Sequence, residues 1–191
     1  MLKTVLRQDM LQKRAQYAAS ETADLSKQIC EQFFGAFRLE AIKVLHVFLP
    51  IEKHNEVNTW YIIRKLQAAY PHIKIVVPVS NIADFSLTHF VLTPDTILKV
   101  NRWGIQEPEG AEEVDAHEID MVLIPLLAFD LQGHRVGYGK GFYDRFLSAC
   151  RPEVLKIGLS YEASIHQITD THPDDIALDF AVTPTSVYSF A

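Results

Sequence analysis

Residues 119–145 read IDMVLIPLLAFDLQGHRVGYGKGFYDR, a long apolar run followed by a glycine-rich segment. The apolar part, 119–129, is the longest signal for a buried strand in the chain. The glycine-rich segment then leads into a pattern typical of a helix that ends near Cys150. A buried strand, a loop and a helix in this order indicate an α/β domain with a parallel sheet. Such sheets bind ligands just beyond the carboxyl ends of their strands, so a site is expected directly after Phe129.

Glycines alternate with larger residues in the segment Gly137-Tyr138-Gly139-Lys140-Gly141. Glycine adopts positive φ readily and lets the backbone approach a ligand closely, because it has no Cβ atom. Successive exposed N–H groups then form a concave surface suited to phosphate oxygens. Arg135 and Lys140 add full positive charges, and a helix beginning near Phe142 adds the positive end of its dipole. The segment therefore predicts a phosphate site. A glycine-rich turn that enters a helix without binding a ligand is the alternative.

Two better-known phosphate loops do not fit this segment. The P-loop pattern GxxxxGK[ST] requires a hydroxyl residue where Gly141 stands and a glycine where His134 stands. The dinucleotide pattern GxGxxG requires a glycine where Phe142 stands. The loop therefore indicates a phosphate site of another kind.

Asp144 falls in the first turn of the helix that follows the loop. An acidic residue at this position is favoured by the helix dipole, by about 0.3–1 kcal/mol, and that contribution alone accounts for many such aspartates. The alternative is that Asp144 binds Mg²⁺ against a bound phosphate, a role for which a carboxylate oxygen is well suited.

The rest of the chain alternates between helix and strand patterns. Helices are predicted over 2–19, 21–35 and 57–69, and strands over 42–49, 73–79, 85–92, 155–160 and 178–182. Residues 93–118, with two prolines and two glycines, are expected to be mostly connection. No repeat, low-complexity tract or linker interrupts the pattern. Residues 1–191 are therefore predicted to form one α/β domain with a largely parallel sheet.

The composition is that of a globular protein, with 48% of the 191 residues apolar and 22% charged. No apolar run approaches the length needed to span a bilayer, and the N-terminus lacks the apolar block of a secretory signal. The two cysteines, Cys30 and Cys150, do not suggest a disulfide framework, so a cytoplasmic location is expected. A net charge of −6 without a basic block makes nucleic acid and anionic membranes poor partners, while an anionic small ligand stays compatible.

Charged residues elsewhere add weaker signals. Lys3 and Arg7 are four residues apart on the first helix, where two cations could meet one ligand, although solvated charges are common at such positions. The eight histidines show neither HxxxH nor HExxH spacing, which disfavours a zinc site. His46 lies within a predicted strand and is expected in the core.

The segment Gly133–Asp144 resembles the signature of the 5-formyltetrahydrofolate cyclo-ligase family. After an acid and a short turn, that signature runs Gly-x-Arg-[Leu/Val]-Gly-x-Gly-x-Gly-[Tyr/Phe]-Tyr-Asp, and every fixed position is met here. Chance agreement over twelve positions is improbable. The resemblance extends over nearly the whole chain, through Lys3–Arg7, Glu56–Thr59, Trp103–Pro108 and Asp174–Asp179.

The resemblance also implies roles for individual residues. It implies ATP contacts by Lys3, Thr4, Arg7, Arg135, Val136, Gly137, Tyr138, Gly139, Lys140, Gly141, Phe142 and Tyr143. It implies folate contacts by Leu49, Glu56, Tyr138, Gly139, Lys140, Gly141 and Phe142. It implies Lys140 and Arg135 as catalytic residues, and Asp144 and Asp175 as ligands of Mg²⁺.

The fold implied by the resemblance is a single three-layer α/β/α domain, similar to sugar-phosphate isomerases and CoA transferases, in a monomer or small homo-oligomer. The implied reaction closes 5-formyltetrahydrofolate to 5,10-methenyltetrahydrofolate with ATP and Mg²⁺. Two other hypotheses stay open from the residues themselves. One is an isomerase-like protein that binds phosphate without ATP, and the other is a folate or nucleotide binder without catalysis.

Overall fold

The computed structural model describes residues 1–190, which contain four α-helices and twelve strands. The helices are α1 Lys3–Ala15, α2 Ala19–Ala36, α3 Trp60–Ala69 and α4 Phe142–Ala149. The strands are β1 Val44–His46, β2 Lys74–Asn81, β3 Ser86–Val91, β4 Ile97–Val100, β5 Gln106–Glu109, β6 Glu113–Val114, β7 Met121–Pro125, β8 Ala128–Phe129, β9 Arg135–Val136, β10 Leu155–Leu159, β11 Phe180–Val182 and β12 Val187–Ser189.

Eight strands form one sheet in the order β12-β11-β10-β7-β1-β2-β3-β6. The neighbours from β11 through β10, β7 and β1 to β2 run parallel, whereas β12, β3 and β6 are antiparallel additions at the two edges. Two small hairpins, β4–β5 and β8–β9, lie outside this sheet. The prediction of a largely parallel α/β sheet is confirmed.

Alternate residues of the central strand β7 face opposite sides of the sheet, as the two-residue period of a strand requires. Met121 and Leu123 join one apolar cluster, while Val122 and Ile124 join another. Buried residues of α2 and α3 pack in the first cluster, and those of α4 pack in the second. The sheet is therefore the middle layer of three.

The prediction of one long strand over 119–129 is wrong. β7 ends at Pro125, and residues 128–129 form β8, which pairs with β9 in a separate hairpin. The sequence gives no sign of the break between β7 and β8, because the residues that connect the two strands are also apolar and buried. Leu126 and Leu127 between the two strands are both 1% exposed.

The prediction that 93–118 is mostly connection is also wrong, because β4, β5 and β6 lie within it. Elsewhere the differences concern boundaries. The first helix ends at Ala15 rather than 19, and the third begins at Trp60 rather than 57. Asn58 accounts for the later start, since its side-chain oxygen accepts the Trp60 N–H at 3.1 Å ahead of the helix. β12 was not predicted.

The structure bears on the expectations about disulfides and membrane-spanning helices. Both cysteines are free and buried, in agreement with the absence of a disulfide framework. Within residues 1–190, no helix has the length and apolar character to cross a membrane.

Two histidines lie buried beside α4. His46 is 0% exposed and His89 is 5% exposed, and their rings lie 5.1 Å apart. Among residues 1–190, neither ring nitrogen of His46 has a hydrogen-bond partner, nor does Nδ1 of His89. Burial lowers the pKa of both groups, well below its usual value for His46 and to about 4 for His89. The folded protein therefore holds both rings neutral at pH 7.

These histidines should make the protein lose stability in mild acid. The unfolded chain binds protons on histidine at about pH 6.5, whereas in the folded chain burial lowers the pKa of both groups, to about 4 for His89. Their stabilising contribution is therefore complete above the unfolded pKa and is lost as the pH falls from that value toward the folded pKa of each group. We expect His46→Leu to make the free energy of unfolding less dependent on pH in this range, while leaving it equal or higher at pH 7.5. Denaturant unfolding at several pH values measures both.

His166→Leu provides the matched control, because it removes an exposed imidazole in place of a buried one. A clear loss of stability in His46→Leu at pH 7.5 would contradict the interpretation. It would show that the His46 nitrogens make favourable contacts in the folded protein.

Candidate active site

A cavity of about 500 Å³ opens beyond the carboxyl ends of the parallel strands. Phe48 and Leu49 follow β1 and form part of its wall, Pro78 and Ser80 come from β2, and Pro125 ends β7. Parallel sheets commonly bind ligands at this edge, because the strand ends and the loops that follow them converge there. The cavity is therefore the candidate active site.

Nearly all residues to which the resemblance assigned a contact with ATP, folate or metal lie around this cavity. Its wall includes Lys3, Arg7, Leu49, Glu56, Arg135, Val136, Gly137, Tyr138, Gly139, Lys140, Gly141, Phe142, Tyr143, Asp144 and Asp175. Thr4 is the exception, since its side chain is exposed and does not contribute to the wall. The structure thus brings together segments from the N-terminus, the middle and the end of the chain.

The glycine loop, residues 137–141, turns at two residues with positive φ. Gly139 has φ +86° and Gly141 has φ +72°, the left-handed conformation that side chains with a Cβ rarely adopt. Gly141 directly precedes Phe142, the first residue of α4, so the predicted helix start is confirmed. The amino end of α4 thereby adjoins the cavity.

Arg7 from α1 lies across this loop. Its Nε donates a hydrogen bond to the Gly137 carbonyl oxygen at 2.9 Å. A Cβ added to Gly139 would lie 2.9 Å from the guanidinium carbon of Arg7, so only glycine permits this approach. The first helix and the loop are therefore in direct contact, which sequence distance alone did not indicate.

The side chain of Arg135 is largely enclosed, with only 7% of it exposed. Its Nη2 donates to Asp144 Oδ1 at 2.6 Å, and its Nη1 donates to the Ile176 carbonyl oxygen. The Ile176 N–H in turn donates to Asp144 Oδ1 at 3.1 Å. Burial lowers the pKa of Arg135, and the Asp144 carboxylate opposes that shift. Asp144 is thus held by an ion pair and a backbone hydrogen bond rather than only by the helix dipole.

A second ion pair joins Lys3 to Asp175. Asp175 Oδ2 also accepts the His172 N–H at 2.6 Å. Burial by itself would raise the pKa of Asp175, but the hydrogen bond from His172 and the pair with Lys3 hold it below its usual value. Asp175 is therefore ionised at neutral pH, as a metal ligand must be.

Asp144 and Asp175 fit a magnesium site that is completed by a ligand. Both line the cavity, and the hydrogen bonds to each use a single carboxylate oxygen, Oδ1 of Asp144 and Oδ2 of Asp175. Within residues 1–190, no group of three or more His, Cys, Asp or Glu residues could hold a metal alone. Mg²⁺ usually binds through one or two carboxylates together with water and substrate phosphates, so two are sufficient.

A buried carboxylate also lines the cavity. Glu56 is 6% exposed, and its two oxygens accept the Tyr138 hydroxyl at 2.6 Å and the Ile51 N–H at 2.8 Å. Burial raises the pKa of Glu56, and these hydrogen bonds partly offset the shift. Burial and the neighbouring Glu56 carboxylate also raise the pKa of Tyr138, which keeps its hydroxyl protonated. Tyr138 therefore connects the glycine loop with Glu56.

The remaining cavity wall is mostly apolar and was not predicted residue by residue. It consists of Phe48, Ile51, Pro78, Ser80, Ile82, Leu87, Ile105 and Pro125. The rule that ligands bind at strand ends could have identified Phe48, Pro78 and Pro125. No local pattern indicates Ile82 or Ile105, because each reaches the cavity from a loop next to a strand whose position depends on the tertiary fold.

Comparison with known proteins agrees with the geometry. A family model described as the 5-formyltetrahydrofolate cyclo-ligase family matches residues 1–184. The 5-formyltetrahydrofolate cyclo-ligase of Mycoplasma genitalium is 32% identical over 184 residues, which cover 94% of this chain and 96% of that protein.

Two solved structures are also similar. The NMR structure of Aquifex aeolicus 5,10-methenyltetrahydrofolate synthetase has a TM-score of 0.82 at 27% identity, covering 100% of this chain and 93% of that one. A 5,10-methenyltetrahydrofolate synthetase from Mycoplasma pneumoniae has a TM-score of 0.74 at 25% identity, covering 96% of this chain and 99% of that one. The chain belongs to the 5-formyltetrahydrofolate cyclo-ligase family.

Proposed function

We propose that the chain carries out the reaction for which its family is named. It closes 5-formyltetrahydrofolate to 5,10-methenyltetrahydrofolate and converts ATP to ADP and phosphate. The observation that carries this proposal is the meeting of two environments in one cavity. A glycine loop with cations forms one part of the cavity wall, and apolar side chains together with the buried Glu56 form another part. Tyr138 contacts Glu56 from within the loop itself.

The chemistry explains why both environments are needed. A formamide oxygen is a poor leaving group, so attack by N10 on the formyl carbon would stall at a tetrahedral centre. Attack of the formyl oxygen on the γ-phosphorus of ATP releases ADP and gives a phosphorylated oxygen. N10 then bonds to the former formyl carbon, phosphate leaves with the oxygen, and the proton lost from N10 leaves on that phosphate. No covalent enzyme intermediate is required.

The protein contributes alignment and charge neutralisation, which are the main requirements of phosphoryl transfer. We assign Lys140, Arg7 and the N–H groups of the loop to the phosphates, and the apolar wall to the folate rings. Asp144 and Asp175 would hold Mg²⁺, which neutralises phosphate charge when bound. Because Arg135 is bonded to Asp144 and to the Ile176 carbonyl, we assign it to keeping Asp144 in place. The mechanism needs neither cysteine.

The partners are the two small molecules, 5-formyltetrahydrofolate and ATP. A cytoplasmic location, a monomeric or small homo-oligomeric state, and the absence of nucleic-acid and membrane partners stay predictions.

The reaction itself is the first test. Incubation with 5-formyltetrahydrofolate, ATP and Mg²⁺ should produce the near-ultraviolet absorption band of the methenyl product together with ADP. ATP with Mg²⁺ should also raise the melting temperature, because a ligand that binds only the folded state stabilises it. Omission of ATP is the control. Product formation without ATP, or no product together with an unchanged melting temperature, would contradict the proposed function.

Asp175→Asn should lower turnover on the order of 10²-fold, by analogy with the loss of one preorganised electrostatic group. Asparagine keeps an oxygen for the His172 N–H but removes the negative charge that a metal requires. Raising the Mg²⁺ concentration should therefore restore part of the activity. Initial rates measured across a Mg²⁺ titration give both results.

Asp174→Asn is the matched control for that variant. Asp174 is the adjacent acid, and 89% of its side chain is exposed, so turnover and Mg²⁺ dependence should stay near those of the unmodified protein. Equal rates and equal Mg²⁺ dependence in the two variants would exclude Asp175 as a metal ligand.

Arg7→Ala should raise the KM for ATP on the order of 10-fold, as expected for loss of one charged hydrogen-bonding group, and lower kcat much less. Arg7 lies against the loop that we assign to the phosphates. Steady-state kinetics with each substrate varied in turn measures the effect. Lys13→Ala on the same helix is the control, since Lys13 pairs with Glu162 and does not line the cavity. An unchanged KM for ATP in Arg7→Ala would remove Arg7 from the phosphate site.

A further inference from the structure

Phe85 has an unusual backbone conformation at the tip of the β2–β3 hairpin. It is the last residue of the four-residue loop 82–85, and its φ is +58°. A bulky side chain is an outlier at positive φ, where glycine and asparagine are common. The turn is fixed by Asp84, whose Oδ1 accepts the N–H and the hydroxyl of Ser86 at 3.0 and 2.7 Å. Such backbone strain persists only where surrounding contacts maintain it, and it is enriched at functional sites.

The contacts of the Phe85 ring come from the glycine loop and the start of α4. The ammonium nitrogen of Lys140 lies 5.6 Å from the ring centroid, and the guanidinium carbon of Arg145 lies 5.8 Å from it. Both distances are within the range of a cation–π interaction. The Phe142 ring meets the Phe85 ring edge to face, with centroids 5.7 Å apart. One aromatic ring thus contacts two cations and the first residue of the helix.

Lys140 is constrained at both ends by this arrangement. Arg145 Nη1 donates to the Lys140 carbonyl oxygen at 2.8 Å, which fixes the backbone. A Cβ added to Gly141 would lie 2.9 Å from the same Nη1, so the glycine permits the contact. The Phe85 ring holds the ammonium group, although Lys140 is otherwise exposed at the cavity wall. A free lysine side chain populates many rotamers, so each of these contacts reduces the disorder that a ligand would have to remove.

We propose that Phe85 is a positioning residue that holds the Lys140 ammonium group ready for the phosphates of ATP. This inference rests on the proposed function, which assigns Lys140 to those phosphates. The cation–π contact is weak enough for Lys140 to turn toward a phosphate, yet it keeps the side chain near the cavity before ATP arrives. The free protein has therefore already lost part of the Lys140 side-chain entropy that would otherwise be lost on ATP binding.

Three substitutions separate this role from a structural one. Phe85→Leu keeps apolar bulk but removes the aromatic face, and Phe85→Tyr keeps the face. Phe85→Gly removes the ring and also relieves the positive φ. We expect Phe85→Leu and Phe85→Gly to raise the KM and Kd for ATP about two- to five-fold, as expected for loss of an exposed cation–π contact, with kcat nearly unchanged. Phe85→Tyr should retain ATP affinity.

Melting temperature separates the two roles, because a purely structural role predicts that ATP affinity falls in step with the melting temperature. Because Phe85→Gly relieves the backbone, its melting temperature should fall less than that of Phe85→Leu while its ATP affinity falls equally. A second comparison uses Lys140→Met, in which the further change Phe85→Leu should have less than half of its effect on ATP affinity.

The outcomes are distinct. If the unmodified protein forms no methenyl product, the proposed function fails. If it is active and Phe85→Leu binds ATP as tightly as the unmodified protein, only the inference about Phe85 fails. A Phe85→Leu effect of equal size with and without Lys140 would also overturn the inference, since the ring would then act on ATP binding by another route.

Discussion

A buried guanidinium determines how the parts of the site are held together. Arg135 exposes only 7% of its side chain, and a charge at that depth needs partners in fixed positions because an unpaired buried ion costs several kcal/mol. The partners come from two other segments, Asp144 in the first turn of α4 and the carbonyl of Ile176 in the late loop. Asp144 is fixed in turn by the Ile176 N–H. The hydrogen bonds and the ion pair of one guanidinium therefore join the β8–β9 hairpin, α4 and the loop that contains Ile176.

The turn that precedes the glycine loop is tied to the same late part of the chain. The Asp130 carboxylate is fully buried, and it accepts the N–H groups of Gln132, His134 and Ile168 at 2.9–3.0 Å. Gly133 lies at φ +82°, and a Cβ there would come within 2.9 Å of the carbonyl oxygen of Leu178. The loop is thus anchored before Arg135 and again at α4, while its middle faces the cavity. This explains why an acid and a glycine precede the glycine loop in the sequence.

The sequence predicted those features in which local pattern and tertiary environment agree, and the rest depended on contacts distant in the chain. The parallel sheet and the helix start after Gly141 followed from hydropathy and glycine placement. The β4–β5 hairpin did not, because Ile97 and Val100 are exposed and give no pattern of burial. The strand-end rule predicted a site directly after Phe129, whereas the collection of residues from distant segments around it was implied only by the family resemblance. The ion pair of Lys3 with Asp175 spans almost the whole chain, and no spacing rule indicates it.

Ion pairing divides the charges of the cavity into two classes. Lys3 and Arg135 each pair with a carboxylate, so these pairs add little net charge to the site. Arg7 and Lys140 form no ion pair in the part of the chain that the structure describes, and they are the cations first available to a phosphate. A divalent cation bound by the two carboxylates would compete with Lys3 and Arg135, whose charges would then need new partners. Phosphate oxygens would be such partners, so on electrostatic grounds a nucleotide and its metal should bind together more favourably than either alone.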